Sequence, residues 1–289
     1  MTLFSLLAEG TDALMRAGET DAERDAQQLL LSAFHLDMVH YLLNRMQELE
    51  DSPDNRAAAG HYGRMIEKRA GRIPLQQILG SQEFMGLEFH VNEHTLIPRQ
   101  DTETLVELVL EEQKNVDFEV LDLCTGSGCI AVSLAVKGGY RKVTAVDLSA
   151  EALKVAEKNV QVHNCRDRVG LFEGDLFQAL DGQRKEDRSF DIITSNPPYI
   201  PTAVINTLEP EVRDHEPRMA LDGTADGLHF YRRIAVEAKP YLKENGVMYL
   251  EIGYDQGEAV SALLSENGYR QIRVCRDLAG NDRVVSAHR

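Results

Sequence analysis

The sequence predicts an α/β protein: a mostly parallel sheet covered by helices on both faces and finished by an antiparallel hairpin, preceded by a small all-helical domain. Three observations predict it. From residue 98 onward, short apolar runs alternate with helical stretches. The last two runs are joined by a turn too short for a parallel crossover. Residues 1–72, by contrast, carry helical periodicity alone. A length of 289 residues suits one large and one small domain. The boundaries expected are 1–72 for the helical domain, 73–97 for a linker holding a β-hairpin, and 98–289 for the α/β domain.

In the helical domain, Leu3, Leu6, Leu7 and Leu14 recur at helical spacing. Thr20-Asp-Ala-Glu23 has the pattern of a capping box and opens a helix whose apolar face carries Leu29, Leu30, Ala33 and Phe34. A further helix is expected over about 38–47, and Pro53 suits the first turn of another over 53–70. A four- or five-helix bundle follows. Phe84 to Val91 alternates apolar and polar residues around Gly86, as a short hairpin does. Strands are then expected at Glu119–Leu123, Lys142–Asp147, Val169–Glu173, Phe190–Ser195 and Gly246–Ile252. Helices near 129–137, 150–163, 226–243 and 256–267 separate them. Tyr269–Arg276 and Arg283–His288 form the closing hairpin, for seven strands in the sheet.

Composition narrows the function. With 43% apolar and 27% charged residues the chain is globular, not disordered. Its net charge of −16 offers no electrostatic footprint for a phosphate backbone, and residues 1–72 hold 12 acidic against 8 basic residues. Direct DNA binding is therefore not expected. The acidic runs at Glu48–Asp51 and Glu111–Glu112 read as solvated faces. Cys124, Cys129, Cys165 and Cys275 form no C-x-x-C pair and have no histidine at ligand spacing, so no metal is expected. The N-terminus lacks a basic leader, and no apolar run approaches the roughly 20 residues of a membrane span. A soluble, cytoplasmic, monomeric protein is the expectation.

Two segments carry chemistry. The first, Val120 to Ala131, is a strand, a glycine turn and a helix start. Gly126 and Gly128 let the backbone approach a ligand closely. Asp147, ending the next strand, suits a ribose diol, with a helix cap as its plain structural alternative. The loop reads C-T-G-S-G-C and lacks the first and third glycines of a dinucleotide fingerprint, which argues against a nicotinamide oxidoreductase. A cofactor without phosphate, S-adenosylmethionine, fits better. Asp122 is then a candidate for its amino group and Asp175, beside Leu176, for its adenine amine.

The second segment runs an apolar strand into Asn196-Pro197-Pro198-Tyr199. Proline removes backbone donors, so this turn offers acceptors and few N–H groups, which suits a substrate presenting NH₂. The Asn196 side-chain oxygen and the Pro197 carbonyl are the candidate acceptors, and Tyr199 offers a flat face. Holding both hydrogens of a carboxamide fixes its nitrogen for attack on a sulfonium methyl. His215 and His229 read as packing residues. Glu251, ending the fifth strand, touches either the substrate or the 98–103 loop, or forms a structural ion pair. Arg99 divides between ligand contact and holding the hairpin.

These residues resemble the amino methyltransferases with an N-P-P-Y turn, and among them the release factor glutamine methyltransferases. The resemblance rests on Ile73 to Gly80, Leu96 to Glu103, Leu121 to Ala131, Asn196 to Tyr199, Glu216 to Leu228 and Asp277 to Val284. It implies the class I, Rossmann-like methyltransferase fold, and S-adenosylmethionine as cofactor with S-adenosylhomocysteine as product. The substrate implied is the glutamine of the Gly-Gly-Gln tip of class 1 peptide-chain release factors, methylated at N5, with the helical domain helping to recognise that partner. Carried over by position, Cys124, Thr125, Gly126, Ser127, Gly128, Asp147, Asp175 and Leu176 match cofactor contacts, with Asn196 shared between cofactor and glutamine. Asn196, Pro197, Pro198 and Tyr199 match the glutamine contacts, and Arg99 and Thr102 belong to a neighbouring loop. The sequence departs from the family pattern at Gln100 and Asp101 (commonly Pro-Glu), at Leu176 (commonly aromatic) and at Thr224 (commonly glycine). Two alternatives stay open: an adenine-N6 DNA or RNA methyltransferase, since the N-P-P-Y turn is shared, and a non-catalytic S-adenosylmethionine-binding module.

Overall fold

The computed structural model describes residues 1–181 and 189–289. The chain forms two compact units, Met1–Gly80 with Pro210–His215, and Ser81–Glu209 with Glu216–Arg289. The division after Gly80 falls inside the stretch expected as a linker and places the hairpin in the second unit.

The first unit holds α1 (Leu3–Arg16), α2 (Ala22–Ala33), α3 (Met38–Asn44), α4 (Pro53–Ala70) and α5 (Leu75–Leu79). Leu3, Leu7 and Leu14 meet Leu29, Leu30, Tyr62 and Ile66 in one core, the apolar stripe that the leucine spacing encodes. Pro53 occupies the first turn of α4, and the Ser52 hydroxyl accepts the Asn55 N–H as its cap. The capping box expected at Thr20–Glu23 does not form, because the chain enters α2 through Asp21, whose side chain makes no capping bond. A reciprocal box closes α1 instead, between Thr2 and Ser5. α3 stops at Asn44, before the expected residue 47.

The short Pro210–His215 turn belongs to this unit through a buried ionic cluster. Arg69 donates to Asp25 at 2.6 Å, to Glu19 at 2.8 Å and to Glu211 at 2.9 Å. Gln77 donates to the His215 carbonyl at 2.9 Å. A buried cation of this kind is tolerated only because every side of it meets a carboxylate.

The second unit opens with the hairpin β1 (Ser81–Phe84) and β2 (Leu87–His90), turned through Met85 and Gly86 at φ of 54° and 66°. Then come α6 (Gln100–Glu112), β3 (Glu119–Leu123), α7 (Cys129–Lys137), β4 (Lys142–Asp147), α8 (Ala150–Val162), β5 (Val169–Glu173) and β6 (Phe190–Ser195). The short helices α9 (Thr202–Ile205), α10 (Pro210–His215, the turn just described) and α11 (Arg218–Leu221) follow. α12 (His229–Glu237), β7 (Leu242–Glu251), α13 (Gly257–Glu266), β8 (Arg270–Arg276) and β9 (Asp282–His288) complete the chain.

The seven strands form one sheet in the order β5-β4-β3-β6-β7-β9-β8. The first five in that order run parallel, and β9 pairs antiparallel with both β7 and β8. This is the mostly parallel sheet with an antiparallel closing hairpin that the sequence predicts. Successive strand residues face opposite cores: Val120 and Ile192 pack with Leu105, Val109 and Leu134, whereas Leu121 and Ile193 pack with Tyr231, Ile234 and Leu264. Strand order reverses between β3 and β6, and a crevice at the carboxyl ends of such strands is where α/β sheets bind ligands.

Two stretches differ from expectation. The helix expected to run to residue 243 ends at Glu237, and β7 starts early at Leu242 because Leu242 pairs with Phe190 across a bulge. The stretch expected as a loop at 98–103 is the start of α6, whose Leu105, Val106 and Val109 are buried on one face.

Candidate active site

The carboxyl ends of β3, β4 and β6 border a cavity of about 400 Å³. The glycine loop forms one wall. Cys124, Gly126 and Gly128 take left-handed backbone at φ of 58°, 56° and 80°. A Cβ on Gly126 would meet no atom within 4 Å and would project into the cavity, so the glycine keeps that space open. At Gly128 the constraint is packing, since a Cβ would lie 3.2 Å from Ala156. The Gly126 N–H donates to Asp147 at 2.8 Å and the Ser149 N–H to the other Asp147 oxygen at 2.9 Å. Ser149 itself caps α8, so Asp147 is not the helix cap; it stands on the cavity wall. Burial raises its carboxyl, and the N–H bonds oppose that rise.

Asp122 lies elsewhere than its sequence position suggests. It is fully buried and behind the wall, accepting the Thr125 hydroxyl at 2.6 Å and the Thr194 hydroxyl at 2.8 Å. Burial pushes its carboxyl up to about 7. It supports the loop through Thr125, which does line the cavity with Ser127 and Cys124. Asp175 and Leu176 also line the cavity. Asp175 is bound by Arg233 at 2.8 and 3.0 Å, and Leu176 holds φ of 50°.

After β6, Asn196 and Pro198 line the cavity, while Pro197 is buried. Tyr199 turns away from the wall into the second core, its phenol bonded toward Glu251. The Tyr199 carbonyl accepts Gln256 Nε2 at 3.0 Å. Two glycines crowd this turn: a Cβ on Gly223 or Gly227 would lie 2.8 or 2.3 Å from the Tyr199 backbone. That contact explains the Asp222-Gly223 and Asp226-Gly227 pairs. Between them, Thr224 holds φ of 69°, a strained setting for a β-branched residue.

The first turn of α6 closes the remaining side. Arg99 and Thr102 line the cavity. Arg99 is paired with the buried Glu216, and Asp101 with Arg283 at 3.1 Å. Glu251 sits behind, hydrogen-bonded toward Thr102 and Tyr199, with burial pushing its carboxyl to about 7 against the attraction of Arg283. Of the two readings for Glu251, its contact is thus with the 98–103 stretch. His215 and His229 stay away from the wall. All four cysteines are free thiols, and among the described residues no group of His, Cys, Asp or Glu is arranged to hold a metal.

Sequence reasoning missed Asn159 and Gln256. Asn159 is fully buried on α8 and bonds both the hairpin and the glycine loop: the His90 N–H donates to it at 2.7 Å, and its amide donates to the His90 and Ser127 carbonyls at 3.0 and 2.9 Å. A buried asparagine on the apolar face of a helix is the signal that marks it.

Residues 100–208 match the methyltransferase small domain family, and residues 5–80 match the PrmC N-terminal domain family. The release factor glutamine methyltransferase of Geobacter sulfurreducens is 43% identical, with 94% of this chain and 91% of that protein aligned. That of Moorella thermoacetica is 42% identical over 100% of this chain and 99% of its own. The chain belongs to the release factor glutamine methyltransferase family. A methyltransferase of Pyrococcus furiosus, 18% identical, superposes on 77% of the chain and 98% of its own with a TM-score of 0.53, which shows the shared fold. Family membership makes this chain an S-adenosylmethionine-dependent enzyme and the cavity the place to look for its chemistry.

Proposed function

We propose that the chain transfers a methyl group to the side-chain amide nitrogen of the glutamine in the Gly-Gly-Gln tip of class 1 peptide-chain release factors. The observation that carries this reading is the Asn196-Pro197-Pro198 turn on the cavity wall, rich in acceptors and stripped of two backbone donors. The cavity fits the cofactor: Gly126 leaves open the volume a side chain would fill, and Asp147 and Asp175 stand at separate places on the wall. Asp147 would take the ribose hydroxyls, Asp175 and Leu176 the adenine, and the Cys124–Gly128 backbone the amino-acid tail. When bound, S-adenosylmethionine supplies an electrophilic sulfonium methyl. The chain's own part is positioning. The Asn196 side-chain oxygen and the Pro197 carbonyl each hold one amide hydrogen, fixing the nitrogen lone pair toward the methyl. No general base is needed if the amide proton leaves after the new N–C bond forms.

The Met1–Gly80 unit is assigned to recognition of the protein substrate. Among the described residues no helix is long and apolar enough to cross a membrane, in keeping with work on a translation factor in the cytoplasm. The test is methyl transfer from labelled cofactor to a purified class 1 release factor, beside its Gly-Gly-Ala variant and a DNA control. Label on the wild-type factor alone is the expected result, and Asn196→Ala should abolish it. Label on DNA, or cofactor binding without label anywhere, would overturn the assignment.

A further inference from the structure

A chain of hydrogen bonds leads from two wall residues, Asn196 and Thr102, to Glu251 behind the wall. Asn196 Nδ2 donates to Thr102 Oγ1 at 3.4 Å. The Thr102 hydroxyl bonds onward to Glu251, which is 1% exposed and lies beside Asn196 because β6 and β7 pair Ser195 with Leu250. Thr102 is itself 2% exposed, so water does not compete for its hydroxyl. An ionised carboxylate only accepts. With Glu251 ionised, Thr102 therefore donates its one proton to Glu251 and shows lone pairs to Asn196. The asparagine then turns its NH₂ toward Thr102, which leaves its oxygen for the cavity.

We infer that Thr102 and Glu251 are positioning residues that fix the flip state of the Asn196 amide, and thereby make the site accept a carboxamide and reject a carboxylate. The inference rests on the proposed glutamine substrate. With the amide reversed, Asn196 would offer NH₂ to the cavity, repelling an amide NH₂ and welcoming a glutamate in its place. The specificity for glutamine over glutamate is thus set two bonds away from the substrate. Other wall residues lack this leverage, since Pro198 carries no polar side-chain atom and Arg99 is engaged by Glu216.

The test compares wild type, Thr102→Val, Thr102→Ser and Glu251→Gln at pH 8, where Glu251 is ionised. Valine keeps the shape and removes the hydroxyl; glutamine at 251 can donate to Thr102 and free it to donate to Asn196. Thr102→Val and Glu251→Gln should each lower kcat/KM for the release factor by about tenfold or more. Cofactor affinity by calorimetry should be unchanged, and Thr102→Ser should restore the rate. Binding of a Gly-Gly-Glu variant of the release factor, measured with S-adenosylhomocysteine present, supplies a readout independent of turnover. Its affinity relative to the Gly-Gly-Gln factor should rise in both variants. Unchanged rates and an unchanged Gln-to-Glu affinity ratio would overturn the inference, and Glu251→Gln decides alone if Thr102→Val fails to fold. A wild-type enzyme that leaves glutamine unlabelled would overturn the substrate assignment itself.

Discussion

Asn159→Leu removes a buried amide without removing its volume. In the native unit that amide satisfies three backbone groups, at 2.7, 3.0 and 2.9 Å, belonging to His90 and Ser127. Asn159 is fully buried, so water cannot replace it. Each buried polar group left without a partner costs about 1–3 kcal/mol. The three share one side chain and relax together, so the total should be about 3–5 kcal/mol, not the full sum. At about 2–4 °C per kcal/mol for a domain of this size, Tm should fall by roughly 10 °C. Asn159→Asp sharpens the argument. It keeps an acceptor for the His90 N–H but sets a carboxylate oxygen against two carbonyls, so it should cost at least as much as leucine. Urea unfolding followed by far-UV circular dichroism measures all three proteins. A loss below about 1 kcal/mol for leucine, or an aspartate variant more stable than the leucine one, would refute this account of the site.

Asp122 has its carboxyl raised from 3.8 to about 7, so the fold favours the protonated form; stability is full below the unfolded value and falls as pH rises through about 7. Over that window the loss should be about 4 kcal/mol, and Asp122→Asn, unfolded in urea from pH 4 to 8, should lack it. Thr224→Gly relieves left-handed strain at φ of 69° and should stabilise the protein by about 1 kcal/mol in the same assay, with a destabilised variant as the contrary result. Gly227→Ala forces a Cβ to 2.3 Å from the Tyr199 carbonyl and should cut methyl transfer at least tenfold by displacing the turn; near-wild-type turnover would show the turn to be tolerant. Binding of the cationic cofactor at pH 7 should release protons from Asp122 and Glu251, both raised to about 7, more than binding of the neutral product does. Calorimetry in buffers of different ionisation enthalpy measures this, and equal release for both ligands would contradict it.

The sheet was legible because its signals are local. Runs such as Val120 to Leu123 and Ile192 to Thr194 are buried on both faces, and their apolar continuity announces it. The glycine loop and the Asn196 turn were equally plain, since backbone freedom and its loss are written in glycine and proline. What sequence could not show is which way side chains face after the strands pair. Asp122 and Asp147 both sit at strand ends after similar runs, yet one is a fully buried support and the other stands on the wall. Tyr199 reads as a flat face for the substrate, whereas its ring packs against the second core and its backbone lies close to Gly223 and Gly227. The discontinuous Pro210–His215 turn was also invisible, because Arg69 and Glu211 are 142 residues apart.

These placements share a pattern. The cavity wall carries Asp147 and Asp175, while two further acids stand one hydroxyl behind it, Asp122 through Thr125 and Glu251 through Thr102. Set back one bond, in a poorly screened interior, an ionised acid still contributes negative potential to the cavity without touching what binds there. That potential should favour a cationic ligand over a neutral one in the same cavity. The arrangement also keeps the acids available for direction-setting, since a carboxylate that meets only hydroxyls dictates where each hydroxyl proton points. The cost is paid in stability, as the raised carboxyls record, and the fold places that cost on the strands that form the catalytic edge.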